Sequence, residues 1–199
     1  MADPLRVAVV ARAVMPLHGD GGLERSVHDL VRHLAARGVD VTLVTPPGGV
    51  QRRSPVDPFA PPRIHVRHVS YLTFPFANRR GTTVLDRSTA YPLYGMRAGR
   101  LALSLVREQA IDIVHGFGAS VLGYALGRGQ APLVLNPQGM EEFGATAASW
   151  PLLKRIGYAP LRAAVRRCAR HAACIIATDR SLEPAVARHL RPRPVRPSR

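Results

Sequence analysis

The segment from Val7 to Thr45, VAVVARAVMPLHGDGGLERSVHDLVRHLAARGVDVTLVT, changes its apolar period twice and so restricts the fold more than any other part of the chain. Arg6–Ala11 is a short apolar run of the kind found in a strand buried on both faces. Beyond Gly19-Asp20-Gly21-Gly22, Leu23, Val27, Leu30, Val31, Leu34 and Ala35 recur at intervals of three and four. Glu24, Arg25, Asp29, Arg32 and Arg37 fall on the opposite face, which predicts an amphipathic helix over Leu23–Arg37. Gly38 stands where a left-handed cap would stop that helix. Val39–Thr45 then returns as a second strand, completing a βαβ unit.

The rest of the chain repeats the alternation. Arg63–Val69, Ile111–His115, Pro132–Asn136 and Cys174–Ala177 read as strands. Pro92–Gln109, Ser120–Leu126, Leu152–Ala172 and Leu182–Leu190 read as helices, the third kinked or divided by Gly157 and Pro160. Pro46–Pro62, with six prolines and two glycines, reads as a surface loop, and Tyr71–Arg87 as irregular and aromatic. Strands alternating with helices predict an α/β fold, a doubly wound parallel sheet of Rossmann-like type, over residues 1–190. The Arg/Pro-rich tail 191–199 can neither continue a helix nor sit in a central strand.

Composition narrows the function classes. No apolar run reaches the roughly 18 residues of a membrane span, and Asp3 and Arg12 bracket a first apolar segment too short for a signal sequence, which predicts a cytoplasmic protein. Cys168 and Cys174 are separated by five residues, neither a CxxC pair nor a zinc-ligand spacing, and are expected to be buried free thiols. His28 and His33 do not match the HExxH spacing, so no metal is expected. The net charge of +15 raises a nucleic-acid hypothesis, but 12 of the 28 basic residues lie in Pro151–Arg199 and Lys154 is the only lysine. With no aromatic RNP motif, zinc finger or tandem basic run, nucleic acid is not expected as a partner.

In an open parallel sheet, ligands bind beyond the carboxyl ends of the strands, where the loop Gly19–Gly22 is expected. Glycines there would take positive φ and bring N–H groups close to an anion at the start of the helix, and a diphosphate is the natural ligand. The spacing matches neither the dinucleotide fingerprint, since Glu24 stands where its third glycine belongs, nor a P-loop. A tight turn with no ligand is the competing reading of Gly21 and Gly22.

Gly21-Gly22-Leu23-Glu24-Arg25, the helix ending in LAARGVDVTLVT, then IDIVHGFG (Ile111–Gly118), NPQGMEEF (Asn136–Phe143) and IIATDRSLE (Ile175–Glu183) resemble, in this order, the amino-terminal half of family 4 glycosyltransferases. The resemblance implies one Rossmann-like domain of a two-domain GT-B enzyme that transfers a sugar from a nucleotide-sugar donor with retention. It implies no further cofactor. It places Gly21 and Gly22 at the donor diphosphate, His115 at the reacting centre as the catalytic residue, and Gln138, Glu141 and Glu142 at a sugar or lipid-linked acceptor. Many relatives carry histidine where this chain has Gln138, which can position a hydroxyl only by hydrogen bonding. For His115 the alternative is a strand-end imidazole satisfied by backbone. For Glu141 and Glu142 it is acids favoured near a helix start.

The family's carboxyl-terminal, nucleotide-holding domain has no counterpart in the sequence, so the chain is expected to be a fragment, inactive alone, with that domain as its missing partner. Arg155, Arg162, Arg166, Arg167 and Arg170 border Ile156, Leu161, Val165 and Cys168, which admits either a solvated helix face or peripheral contact with anionic lipid at the membrane's inner face. The functional alternative is a non-enzymatic Rossmann-like module binding an anionic ligand or polyanion through its basic surface.

Overall fold

The structure, a computed structural model, describes residues 3–48, 63–72, 83–109, 111–145 and 152–191. Six strands, β1 (Arg6–Val10), β2 (Asp40–Thr45), β3 (Ile64–His68), β4 (Ile113–Phe117), β5 (Leu133–Asn136) and β6 (Cys174–Ile175), form one parallel sheet in the order β3-β2-β1-β4-β5-β6. The expected doubly wound α/β class is the observed one. The order reverses between β1 and β4, and a crevice opens at the carboxyl end of a parallel sheet at such a point.

Helix α1 (Gly22–Ala36) covers one face of the sheet. Val27 and Val31 pack on Val7, Val9, Val41 and Leu43. On the other face Ala8, Val10, Val44, Val114, Leu133 and Leu135 meet α2 (Thr83–Gln109), α3 (Leu122–Leu126) and α5 (Ala159–His171). Successive residues of β1 therefore serve opposite cores, as the period of two requires. Gly38 takes φ +84 and its N–H reaches the Ala35 carbonyl at 3.0 Å, the left-handed stop expected for α1.

Three expectations need correction. Helix α2 begins at Thr83 and runs through Pro92, so Thr83–Arg87 is helical where the sequence reads as irregular. Proline removes one helical hydrogen bond there, but Tyr91 and Tyr94 on either side are buried and fasten the helix to the sheet. Strand β4 begins two residues late, so His115 is its middle residue and does not end it. Asp112 sets that register: its N–H donates to the Arg6 carbonyl at 2.9 Å and its carboxylate accepts the Arg6 N–H at 2.8 Å. Of the two thiols only Cys168 is buried; Cys174 is exposed. The anticipated long helix is divided, as expected, into α4 (Leu152–Gly157) and α5, with Pro160 in the first turn of α5 where its missing N–H costs nothing. A last helix, α6, spans Glu183–His189. Most of the Pro46–Pro62 loop (49–62), residues 73–82 of the aromatic stretch and tail residues 192–199 lie outside the described residues.

Among the described residues, α2 packs closely on α3 and on the turn Gly118–Val121 that precedes it. Gly95 and Gly99 form a small-residue face on which the backbone of Ala119, Gly123 and Tyr124 rests. A Cβ at Gly99 would lie 2.5 Å from the Tyr124 nitrogen and 2.6 Å from the Gly123 nitrogen. Backbone cannot yield as a side chain can. Gly99→Ala is therefore expected to destabilise the fold by about 2–4 kcal/mol despite alanine's better helix propensity. A urea midpoint equal to or above that of the wild type would show that the two helices have room to part.

Candidate functional site

The loop from β1 to α1 folds on itself before the helix starts. The Ala11 N–H donates to the Val44 carbonyl at 3.0 Å, His18 N–H to the Val14 carbonyl at 3.1 Å, and Met15 N–H to the Glu24 carbonyl at 3.0 Å. Gly21 is the N-cap, in extended conformation at φ −70 and ψ 171, and Gly22 is the first helical residue. The expectation of positive φ at these two glycines is thus corrected: within the loop it is Gly19 that takes it, at φ +131. Clearance is the use of Gly21 alone. A Cβ at Gly21 would collide with the Glu24 carboxylate, whereas one at Gly22 would meet nothing within 4 Å. Glu24, read from the sequence as facing outward, is half-buried and folded back toward the N-cap. It occupies the third helical position, from which an acid complements the positive helix end.

A cleft of about 280 Å³ opens at the carboxyl ends of β1, β4 and β5, beside the reversal in strand order. Leu23, next to Gly22, and Arg12 line one side; Arg87, Tyr91 and Gly118 line another; residues 137–142, Leu161 and Val165 complete it. The Arg12 guanidinium lies 5.4 Å above the Tyr91 ring. Tyr91 is in turn immobilised, donating to the Phe117 carbonyl at 2.8 Å and accepting the Ala119 N–H at 3.0 Å.

The loop after β5 is held by Asn136. Its Oδ1 accepts the Gln138 backbone N–H at 3.0 Å, the Gln138 Nε2 at 3.0 Å and the Thr178 hydroxyl at 3.1 Å. Gln138 and Met140 both take left-handed backbone, at φ 63 and 54, which brings the short turn Glu141–Phe143 under the cleft. The two expected acceptor carboxylates then diverge. Glu141 is enclosed by Arg87, by Lys154 Nζ at 3.0 Å and by the Tyr158 hydroxyl at 3.3 Å. Burial opposes its charge, but the Lys154 hydrogen bond and the Arg87 charge outweigh it and hold the carboxyl below its ordinary value. Glu142 is buried, and burial pushes its carboxyl up to about 7, only partly offset by its own backbone N–H and by Arg87.

His115 does not line this cleft. It sits with Ile113 and Phe117 on the α1 face of β4, its ring stacked on Phe117 with centroids 5.0 Å apart. Burial lowers its pKa to about 4, so the ring is neutral near pH 7, and Nε2 finds no hydrogen-bond partner among the described residues. The structure therefore gathers the start of α1, Gln138, Glu141 and Glu142 around one cavity and sets His115 apart.

Sequence reasoning missed Arg12, Arg87 and Tyr91. Arg12 follows the first strand directly, a position that could have been read as ligand-facing. Arg87 and Tyr91 are one helical turn apart, but the proline after them hid that helix. On α5, Leu161, Val165 and Cys168 are buried in the core, so this helix's apolar stripe is not a lipid-facing one. Burial raises the Cys168 thiol to about 12. Among the described residues no three His, Cys, Asp or Glu side chains are grouped to hold a metal, and no helix is long and apolar enough to cross a membrane.

The family model for Glycosyltransferase Family 4 matches residues 20–197. The chain belongs to that family. Among solved structures it is similar to a sucrose-phosphate synthase from Thermosynechococcus elongatus, with a TM-score of 0.57 at 16% sequence identity. That match covers 94% of this chain and 45% of the synthase chain, so this chain spans a little under half the length of its structural relative. It is a Rossmann-like half of the two-domain GT-B architecture. No curated protein matches it in sequence.

The raised Glu142 carboxyl has a measurable consequence for stability. Between the ordinary value of 4.5 and about 7 the unfolded chain loses this proton while the folded chain retains it, so stability falls as pH rises through that window. Glu142→Gln should be isoenergetic with the wild type at acid pH and more stable above neutrality, by an amount on the order of 3 kcal/mol at most. Urea unfolding of both proteins at about pH 4 and about pH 8, on either side of the window, gives the difference; a gap that does not widen with pH would remove Glu142 from the set of buried, neutral carboxyls.

Proposed function

We propose that this chain supplies the acceptor-side wall of a retaining glycosyltransferase that moves a sugar from a nucleotide-sugar donor to a hydroxyl bound in the cleft. The observation that carries the reading is the cleft's position: it opens at the strand-order reversal, with the amino end of α1 on one side and Gln138 and Glu142 on the other. In this reading the N–H groups of the first turn of α1, which have no acceptor within the helix, receive the donor diphosphate. The leaving nucleoside diphosphate gains negative charge as the sugar departs, so fixed N–H donors stabilise the transition state more than the ground state. Gln138 and Glu142 orient the acceptor, with Glu142 close to half-ionised at neutral pH and able to accept a hydrogen bond from a hydroxyl or to donate one. Glu141, already enclosed by cations, serves to shape the loop. His115 acts through Phe117, on which it is stacked, as a positioning residue.

The nucleotide is held by a second domain of the kind the family carries, and the chain alone is inactive. The enzyme works at the cytoplasmic face of the membrane. A lipid surface is favoured by one specific feature: Leu152, Leu153 and Ile156 of α4 are 67%, 84% and 60% exposed, beside Lys154 and Arg155. In this reading Leu153→Glu lowers cosedimentation with anionic phospholipid vesicles by about tenfold, since it removes apolar contact and adds a repelled charge. Equal sedimentation of both proteins would leave α4 without a lipid role.

The diphosphate assignment has a sharper test than a bulky substitution. Gly22 is the first helical residue and Gly21 before it is extended, so proline fits at position 22 and removes one N–H while sparing the helix. In the chain joined to its nucleotide-binding half, Gly22→Pro should leave the thermal midpoint unchanged and lower turnover by about tenfold to a thousandfold. Undiminished transfer at both saturating and limiting donor would reduce Gly21 and Gly22 to a turn.

A further inference from the structure

Between Glu142 and Asp179 the sequence has six Lys or Arg residues and no acid. Folding draws three of them to one place. Arg155 from α4 and Arg162 and Arg166 from α5 line a cavity of about 300 Å³ with His189 from α6, over a floor made by Phe143. None of its described lining residues is acidic. Phe143 orders the cations on either side of it: the Arg166 guanidinium lies 5.3 Å from its ring centroid, and the His189 ring is stacked on it at 5.1 Å. Arg162 spans to the reaction cleft, its Nη1 donating to the Glu142 carbonyl at 3.3 Å.

Such an arrangement concentrates positive charge. Guanidinium groups crowded on one pocket repel one another, and the repulsion is visible in two of the four members. Burial, then Arg166 and Arg155, lower the pKa of Arg162 against the smaller opposing charge of Glu142; burial, then Arg166, Arg188 and Arg162, lower that of His189. Charges left in conflict by the fold are the places where a bound counter-charge resolves the conflict. Planar guanidiniums from two helices, converging on one cavity, match the tetrahedral oxygens of a phosphate better than they match a single carboxylate.

We propose that Arg155, Arg162, Arg166 and His189 form a binding site for a phosphate-type anion, separate from the donor diphosphate at α1. The chemistry is that of a phosphate ester, carried either by a soluble molecule or by a lipid headgroup. The site stands whether or not the transferase reading does, because its occupancy is measured without donor or turnover.

The test is calorimetric titration of the whole chain with inorganic phosphate at low ionic strength. Arg155→Gln/Arg166→Gln is compared with Arg128→Gln/Arg170→Gln, which alters a second arginine-lined cavity elsewhere on the molecule. The expected result is phosphate binding that weakens about tenfold or more in the first pair and is unchanged in the control pair. The first pair should also keep or raise the thermal midpoint without phosphate, because it relieves repulsion, and should lose the rise in midpoint that phosphate gives the wild type. Absence of binding by the wild type, or equal weakening in both pairs, overturns the site in favour of diffuse surface charge. A fall in midpoint of the first pair, with no loss of phosphate binding, overturns it in favour of a structural role. Phosphatidic acid vesicles that compete with inorganic phosphate identify the anion as a headgroup and vesicles that do not compete identify it as a soluble ester, and both results sustain the site. Leu153→Glu, which leaves all the described lining residues of the cavity in place, separates this site from the lipid contact proposed for α4.

Discussion

Tyr91 and Tyr94, one on each side of Pro92, tie helix α2 to the carboxyl ends of the two central strands. The Tyr94 hydroxyl donates to the Ala11 carbonyl at 2.7 Å, just beyond β1, and the Tyr91 hydroxyl joins the Phe117 carbonyl to the Ala119 N–H at the end of β4. These are the places where a parallel sheet stops satisfying its own backbone, and all the partners are buried. Leaving any one of them unpaired costs about 1–3 kcal/mol, so the two phenols are part of how the sheet ends. The cleft follows from them. With α2 pinned at Tyr91, Arg87 arrives one turn earlier beside Glu141, and Arg12 finds a ring to lie over.

The neighbouring acids Glu141 and Glu142 show how much one residue of displacement decides. Glu141 faces Arg87, Lys154 and Tyr158, and its charge is fully answered. Glu142 turns into the wall of the cleft, where burial outweighs the opposing pull of its own backbone N–H, Arg87 and Arg162. A stable ion cluster and a carboxyl that titrates near neutrality thus come from the same dipeptide. The first braces the loop that carries the second. The basic residues of α4 and α5 divide in a comparable way, since Lys154 completes the Glu141 cluster while Arg155, Arg162 and Arg166 line a cavity with no acid among its described lining residues.

The fold was legible in the sequence wherever the apolar period was unbroken. The βαβ unit, the parallel sheet and the division of the long helix at Gly157 and Pro160 could all be read, because burial on two faces, helical spacing and proline chemistry are local properties. The readings that failed were those in which a distant partner overrides the local signal. Pro92 is a helix breaker by propensity, yet α2 passes through it because two tyrosines repay the lost bond with buried ones. The register of β4 is set by Asp112 against Arg6, residues 106 positions apart.

For the site, the sequence alone placed the start of α1 and the turn after β5 at one edge of the sheet, where Leu23 and residues 137–142 line the cleft, since segments that follow successive strands share the same edge of any parallel sheet. Only the tertiary structure decided what each residue does there. Gly21 leaves room for the Glu24 carboxylate and Gly22 begins the helix, both with ordinary backbone angles; His115 is turned to the α1 face; and one of two adjacent glutamates is neutralised by cations while the other is desolvated. The reason is that a strand's position in the chain is inherited by the sheet, whereas the direction and charge of a side chain depend on neighbours that folding alone brings within a few ångströms.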